Sequence, residues 1–237
     1  MFAWVGGLAI RDVAIGGRRP APKYGLTYLL GELFGATDDT GEYVYLSDGG
    51  HFENLGLYEL VKRRCRFIIA SDVDADKDLS FGDLASAIRK CRSDMGIDIK
   101  IKTDRLIASG TPPFSKWHCT IADILYQQSD PAATENWILL YIKASLTADE
   151  SADILNYKSL YPEFPHQSTA DQWFTESQFE SYRVLGEHVI ASALKPIPYD
   201  REDINVVPLD RLIQDLTEFW RNPEEILNSR WPIDLGP

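Results

Sequence analysis

The chain has 237 residues, of which 44% are hydrophobic and 25% charged, and its formal net charge is −12. That length can bury a full core as one large domain, and that balance is ordinary for a soluble globular protein. The acidic excess excludes a general nucleic-acid binder, whose phosphate contacts need a basic surface, and excludes charge-driven docking on anionic lipid.

The first apolar run, within MFAWVGGLAIRDVAIGGRRP, spans about ten residues, too short to cross a bilayer. Arg18 and Arg19 follow it, whereas a secretory signal carries its positive charge before the apolar run. The run is expected to pack against another element rather than to target the chain. Residues 24–35 place Leu26, Leu29, Leu30 and Leu33 at helical spacing and end at Gly35, a helix stop. After the polar turn ATDDTGE, EYVYLSD reads as a short strand. A helix is expected from Phe52 to about Arg64, then CRFIIASDV as a buried strand. SFGDLASAIRKCRSDMG reads as a helix with Ser80 as N-cap and Asp83 near a capping-box position. IDIKIKTD, WHCTIADILY and WILLYIKASL are three further strands, the last two separated by QQSDPAATEN. Residues 153–174 read as an aromatic loop, and 177–194 and 207–220 as helices.

Strands and helices alternate, and the strands are continuous apolar runs. That implies an α/β fold with a mainly parallel sheet covered by helices on both faces. The two late strands without a helix between them imply a hairpin or an antiparallel edge. The expected organisation is one α/β domain over residues 1–237, with 150–237 a loop-rich, helical portion packed on it. Cys65, Cys91 and Cys119 are odd in number and lack metal spacing, so reduced thiols and a reducing, cytoplasmic setting are expected.

The most informative stretch is VYLSDGGHFENLGLYELV. Asp48 falls where a strand ends and before a helical pattern, and ligand sites of open α/β sheets form outside the carboxyl ends of strands. Unpaired amides at a helix start favour a carboxylate anion. Gly49 and Gly50 let other atoms approach it closely. The same pattern also suits a plain Asx-turn or N-cap.

The block SDGGHFENLGLYELVKRRCRFIIASD resembles the bacterial branch of the patatin-like phospholipases. The likeness continues in FGDLASAIRKCRSDMGIDI and in YPEFPHQSTADQWFTESQFESYRVLG. The resemblance implies a three-layer α/β/α fold and hydrolysis of lipid or carboxylic esters by a Ser-Asp dyad. It makes Asp48 the dyad aspartate. From the residues themselves, Gly49 and Gly50 shape the motif, Asn54 is placed to support it, and His51 either donates to substrate or Asp48 or is an exposed first-turn helix residue. The absence of any redox, nucleotide or metal motif leads to the expectation of no cofactor and no metal.

The family's Gly-x-Ser-x-Gly nucleophile elbow occurs nowhere in the chain. Gly6-Gly7 and Gly16-Gly17 do not match the glycine-rich oxyanion loop. The resemblance therefore covers a C-terminal portion of such an enzyme. Two readings stand: the aspartate half of an acyl hydrolase, or a non-catalytic binding module left by loss of the serine half. Docking to the missing half, or self-association, is expected of either.

Ser47 and Ser109 are poor nucleophile candidates: Ser47 would point away from the Asp48 side of a strand, and Ser109 has one flanking glycine in a loop. His118 is read as structural, and His166 as shaping a loop or pocket. DVDADKDLSFGD has acidic residues at calcium-loop spacing, but Lys77 stands where that loop needs glycine. A polar strand-to-helix loop is expected there instead.

Overall fold

The structure is a computed structural model, which describes residues 8–11, 24–36, 43–46, 49–111, 113–126, 137–168, 170–195 and 208–230. Asp48, Ser47, both early glycine pairs and the QQSDPAATEN segment lie outside the described residues. The chain divides into two compact units, Met1–Asn54 and Leu55–Pro237.

In the first unit, β1 (Leu8–Arg11) pairs antiparallel with β2 (Tyr43–Leu46), Leu8 opposite Leu46. The N-terminal apolar run thus contains a strand that its short length did not announce. Helix α1 (Gly25–Leu33) forms where the leucine spacing places it, and Gly35 turns the chain with φ +64°. Leu26, Leu29, Leu30 and Leu33 are all exposed.

In the second unit, α2 (Leu57–Lys62) starts later than expected because Gly56 takes φ +66°, a left-handed turn that holds the preceding residues out of the helix. Four strands follow, β3 (Phe67–Asp72), β4 (Asp98–Ile101), β5 (Cys119–Leu125) and β6 (Trp137–Lys143), in the order β3-β6-β5-β4. Between β3 and β4 runs α3 (Gly82–Met95). Gly96 ends α3 at φ +67°, with its amide on Arg92 O at 3.1 Å and the Ile97 amide on Cys91 O at 3.2 Å.

The expected mainly parallel sheet is corrected. Of the three pairings, β3–β6 is parallel, while β5–β6 and β4–β5 are antiparallel. The cause is the connection without a helix: β5 and β6 fold back as a hairpin and insert between β3 and β4. The reversed strand is β5, so β3, β4 and β6 still run the same way.

Side chains alternate across this sheet into two cores. Trp137, Leu139 and Tyr141 join Leu57, Val61, Leu84, Ala87 and Cys91 of α2 and α3 on one face. Ile138, Leu140 and Ile142 face the other core. That core is closed by α4 (Ala152–Leu160), α5 (Glu176–Leu194) and α6 (Leu209–Arg221). Every residue of β6 is buried, as a strand with helices on both sides requires.

Helix α4 corrects the reading of residues 153–174 as loop throughout. A further helix, α7 (Pro223–Arg230), begins at a proline beyond the last helix expected from the sequence. Proline suits a first helical position because its missing N–H would have had no partner there. The three cysteines are free thiols. Among the described residues no helix is long and apolar enough to cross a membrane.

Candidate functional site at the carboxyl edge of the sheet

The Asp-Gly-Gly junction belongs to the first unit. Strand β2 ends at Leu46, and a single 3-10 turn spans Gly49–His51. The Phe52 and Glu53 amides both donate to Gly49 O at 2.9 Å. Gly49, Gly50, His51 and Asn54 are exposed. Gly49 does not need its conformational freedom here, since its φ is not positive and an added Cβ would meet nothing within 4 Å. Ser109 is exposed in a two-way backbone pair with Phe114, a loop position as its sequence implied.

In the second unit the chemistry gathers where β3 and β6 both end. The parallel register sets Asp72 opposite Lys143, so both side chains reach the carboxyl edge together. Lys143 Nζ lies 2.7 Å from Asp72 Oδ1 and 3.7 Å from Asp76 Oδ2. The Tyr141 hydroxyl donates to Asp72 Oδ2, and the Asp74 amide donates to Asp72 Oδ1 at 3.1 Å. Burial, then the Asp72 charge and hydrogen bond, push the Tyr141 phenol far above its ordinary range, so it stays a donor. Asp72 and Lys143 are each 1% exposed, so this set is sealed and works on the fold rather than on a ligand.

What it holds is the loop from β3 to α3. The Asp76 carboxylate accepts the Ser80 amide, the Ser80 hydroxyl and the Phe81 amide, each at 2.8 Å. Ser80 is therefore not the N-cap of α3, a correction to the capping-box reading. The four-residue reach of Asp76 takes that role, and Phe81, the residue before the helix, sits at φ 56°. The DVDADKDLSFGD segment is thus a strand-to-helix loop, as expected, with two of its aspartates on Lys143.

Burial alone would raise the Asp76 pKa, but the Ser80 and Phe81 amides, the Ser80 hydroxyl and Lys143 bring it below the ordinary value. A depressed carboxyl contributes stability that is present above the unfolded aspartate pKa of about 3.9 and is lost as pH falls through the folded value. Asp76→Asn is therefore expected to lower stability by about 2 kcal/mol at pH 7, the weight of charge-assisted bonds to two amides. It should also flatten the loss of stability between pH 5 and pH 3. Urea unfolding at several pH values measures both, and parallel curves for the two proteins would contradict the role given to Asp76.

His166, in the Phe-Pro-His block, comes to the same loop. Its Nδ1 lies 3.4 Å from Asp74 O, and burial lowers its pKa before the smaller opposing and reinforcing charges act. The expectation that His166 shapes a loop agrees with this contact.

A second group stands at the same edge, where β5 begins and β6 ends. The Lys143 amide donates to His118 O at 2.8 Å. His118 Nδ1 lies 3.0 Å from Ser145 Oγ, and its Nε2 lies 3.0 Å from Thr147 Oγ1 and 3.9 Å from Glu150 Oε1. His188, on α5, brings Nε2 to 3.1 Å from Asp149 Oδ1. The two imidazoles meet edge to face, with centroids 5.3 Å apart. Burial first, and the neighbouring His188 second, lower the His118 pKa to about 4, so the ring is neutral at pH 7. The Glu150 side chain is fully buried, and among the described residues its Oε2 has no hydrogen-bond partner.

A groove of about 740 Å³ opens at the other end of the sheet, lined by Phe67, Ile138, Leu209, Ile213 and Thr217 with Arg66 and Arg221 at its margins. It touches the amino ends of β3 and β6, away from both groups. No family model, no curated protein and no solved structure matches the chain.

Sequence reasoning singled out His118 and His166, and Asp72 only as the first acid of DVDADKDLSFGD, but not Lys143, Asp149, Glu150 or His188. The signal for pairing Asp72 with Lys143 was present: a charged residue closing each of two apolar runs, CRFIIASD and WILLYIK. For Asp149 and Glu150 the signal was the density of acids and hydroxyls in SLTADES after a strand, and His188 on α5 carried none.

Proposed function

We propose that the chain is the aspartate-bearing, C-terminal part of a patatin-like serine acyl hydrolase acting on lipid or carboxylic esters. Asp48 is its dyad aspartate, and the serine lies on a segment outside these 237 residues. The observation that supports this is the order at the junction: β2 ends at Leu46, the Ser-Asp pair follows, and a turn opens at Gly49. The sheet covered by helices on both faces is in keeping with the fold the resemblance implies.

In such a dyad the aspartate accepts the serine proton as the hydroxyl oxygen attacks the ester carbonyl, and it orients the hydroxyl beforehand. Amides of the nucleophile segment would stabilise the oxyanion, and a single such donor is worth about 2.7–4 kcal/mol. With neither nucleophile nor oxyanion donors, the 237 residues alone are expected to turn over p-nitrophenyl butyrate no faster than buffer. Joined to the polypeptide encoded in frame upstream, they should hydrolyse it, and Asp48→Ala should reduce kcat at least about a thousandfold, since members of such a unit are not additive. An upstream frame without Gly-x-Ser-x-Gly, or turnover indifferent to Asp48→Ala, would sink the proposal. Turnover by the isolated chain that a fluorophosphonate blocks would instead place the nucleophile at Ser47 or Ser109.

A further inference from the structure

We infer that His118, Asp149, Glu150 and His188 form a binding site for a divalent transition ion of the zinc type. Three separate segments converge to build it: the entry to β5, the loop between β6 and α4, and the middle of α5. Each residue offers one ligand atom, and the four atoms lie within 4.8 Å of one another. Around a tetrahedral zinc with bonds of about 2.0–2.1 Å, ligand atoms stand about 3.4 Å apart. The observed separations of 3.1 Å for His188–Asp149 and 3.9 Å for His118–Glu150 bracket that value.

A buried polar atom points the same way, independently of spacing. The Glu150 side chain is fully buried, and among the described residues its Oε2 takes no hydrogen bond. A buried carboxylate oxygen left without a partner is costly to a fold. A cation among these donors would give that oxygen a partner.

The hydrogen bonds around the donors are of the supporting kind. Ser145 Oγ occupies His118 Nδ1, which fixes the ring and turns Nε2 toward the other donors. The Thr147 amide holds Glu150 Oε1 at 2.7 Å. The Thr147 hydroxyl lies 3.0 Å from His118 Nε2, 2.5 Å from Asp149 Oδ1 and 3.3 Å from Glu150 Oε1. That hydroxyl donates one proton and can accept from an Nε2–H, so it can serve Asp149 and His118 together, and it leaves Glu150 Oε2 unserved. Asp149 is exposed and His188 partly so, which gives an ion a way in from solvent. Two imidazoles with carboxylates suit zinc, iron or nickel better than the all-oxygen sites of magnesium or calcium. This departs from the sequence reading, which expected no metal and a structural role for His118.

The test uses the full 237-residue chain, stripped with EDTA and titrated with zinc chloride by calorimetry, with magnesium chloride as comparison. One zinc per chain and no comparable magnesium binding are expected, together with a zinc-dependent rise in Tm. Ser145→Ala should weaken zinc binding about 10–100-fold, the effect of losing a supporting hydrogen bond, and Glu150→Gln should weaken it further. Asp149→Ala/His188→Ala, which changes the exposed side only and should leave the circular dichroism unchanged, is expected to abolish it. A cobalt-loaded sample should show visible bands that the double variant lacks. Failure of the wild-type chain to bind zinc, or unaltered binding in the folded double variant, would overturn the inference.

Discussion

Lys143→Ala is expected to cost about 3–5 kcal/mol of unfolding free energy, because it strips the cation from two carboxylates that remain buried. Asp72 has no route to water at 1% exposure, and Asp76 would keep its amides but lose the charge 3.7 Å away. Asp72→Asn should cost less, since the amide oxygen still accepts the Tyr141 hydroxyl. The double variant Asp72→Asn/Lys143→Ala then isolates the pairing. It is expected to be more stable than the sum of the two single losses predicts, with a coupling of about 2 kcal/mol. Urea midpoints at constant slope measure all three, and additive losses would show that the pair does not act as a unit.

Phe164→Ala is expected to cost about 3–5 kcal/mol, the range for removing a fully buried aromatic ring. The ring is 0% exposed and meets Tyr157 of α4 at 5.1 Å and Tyr182 of α5 at 4.9 Å between centroids. Its backbone is fixed as well: Lys158 Nζ donates to Phe164 O at 2.6 Å and to Pro162 O at 2.7 Å. The surroundings are therefore held and cannot close over the cavity. Phe164→Leu should retain most of the stability, losing about 1.5 kcal/mol. Loosening here would also release the loop that carries His166 to Asp74. Chemical denaturation reads the loss, and a drop below about 1 kcal/mol for the alanine variant would refute the packing described.

The parts of the fold readable in the sequence are those where one local pattern decides the structure. WILLYIK is apolar on both sides of the strand, and β6 is buried on both faces. The leucine spacing of α1 and the Gly96 stop of α3 are equally local. Helix α4 was not readable, because only Ile154 and Tyr157 of its nine residues are buried and prolines follow closely. The sheet order was not readable either: nothing in β5 or β6 records that their hairpin inserts between β3 and β4.

The site divides the same way. An aspartate followed by two glycines is visible in sequence, whereas the pairing of Asp72 with Lys143 depends on a parallel register across 71 residues. Glu150 read as one acid among several, and its significance is the oxygen that burial leaves without a partner.

That long register also orders the events of folding. The β5–β6 hairpin closes from Ile124 against Trp137, while β3 reaches β6 only across 71 residues. The longer closure costs about 1.5 kcal/mol more in chain entropy, so the hairpin is the earlier template and β3 the strand recruited to it. Until β3 docks, the ammonium of Lys143 and the carboxylate of Asp72 remain hydrated. Stripping that water belongs to the descent from the folding barrier, and the pair acts as a late latch that slows escape from the native state more than it speeds arrival.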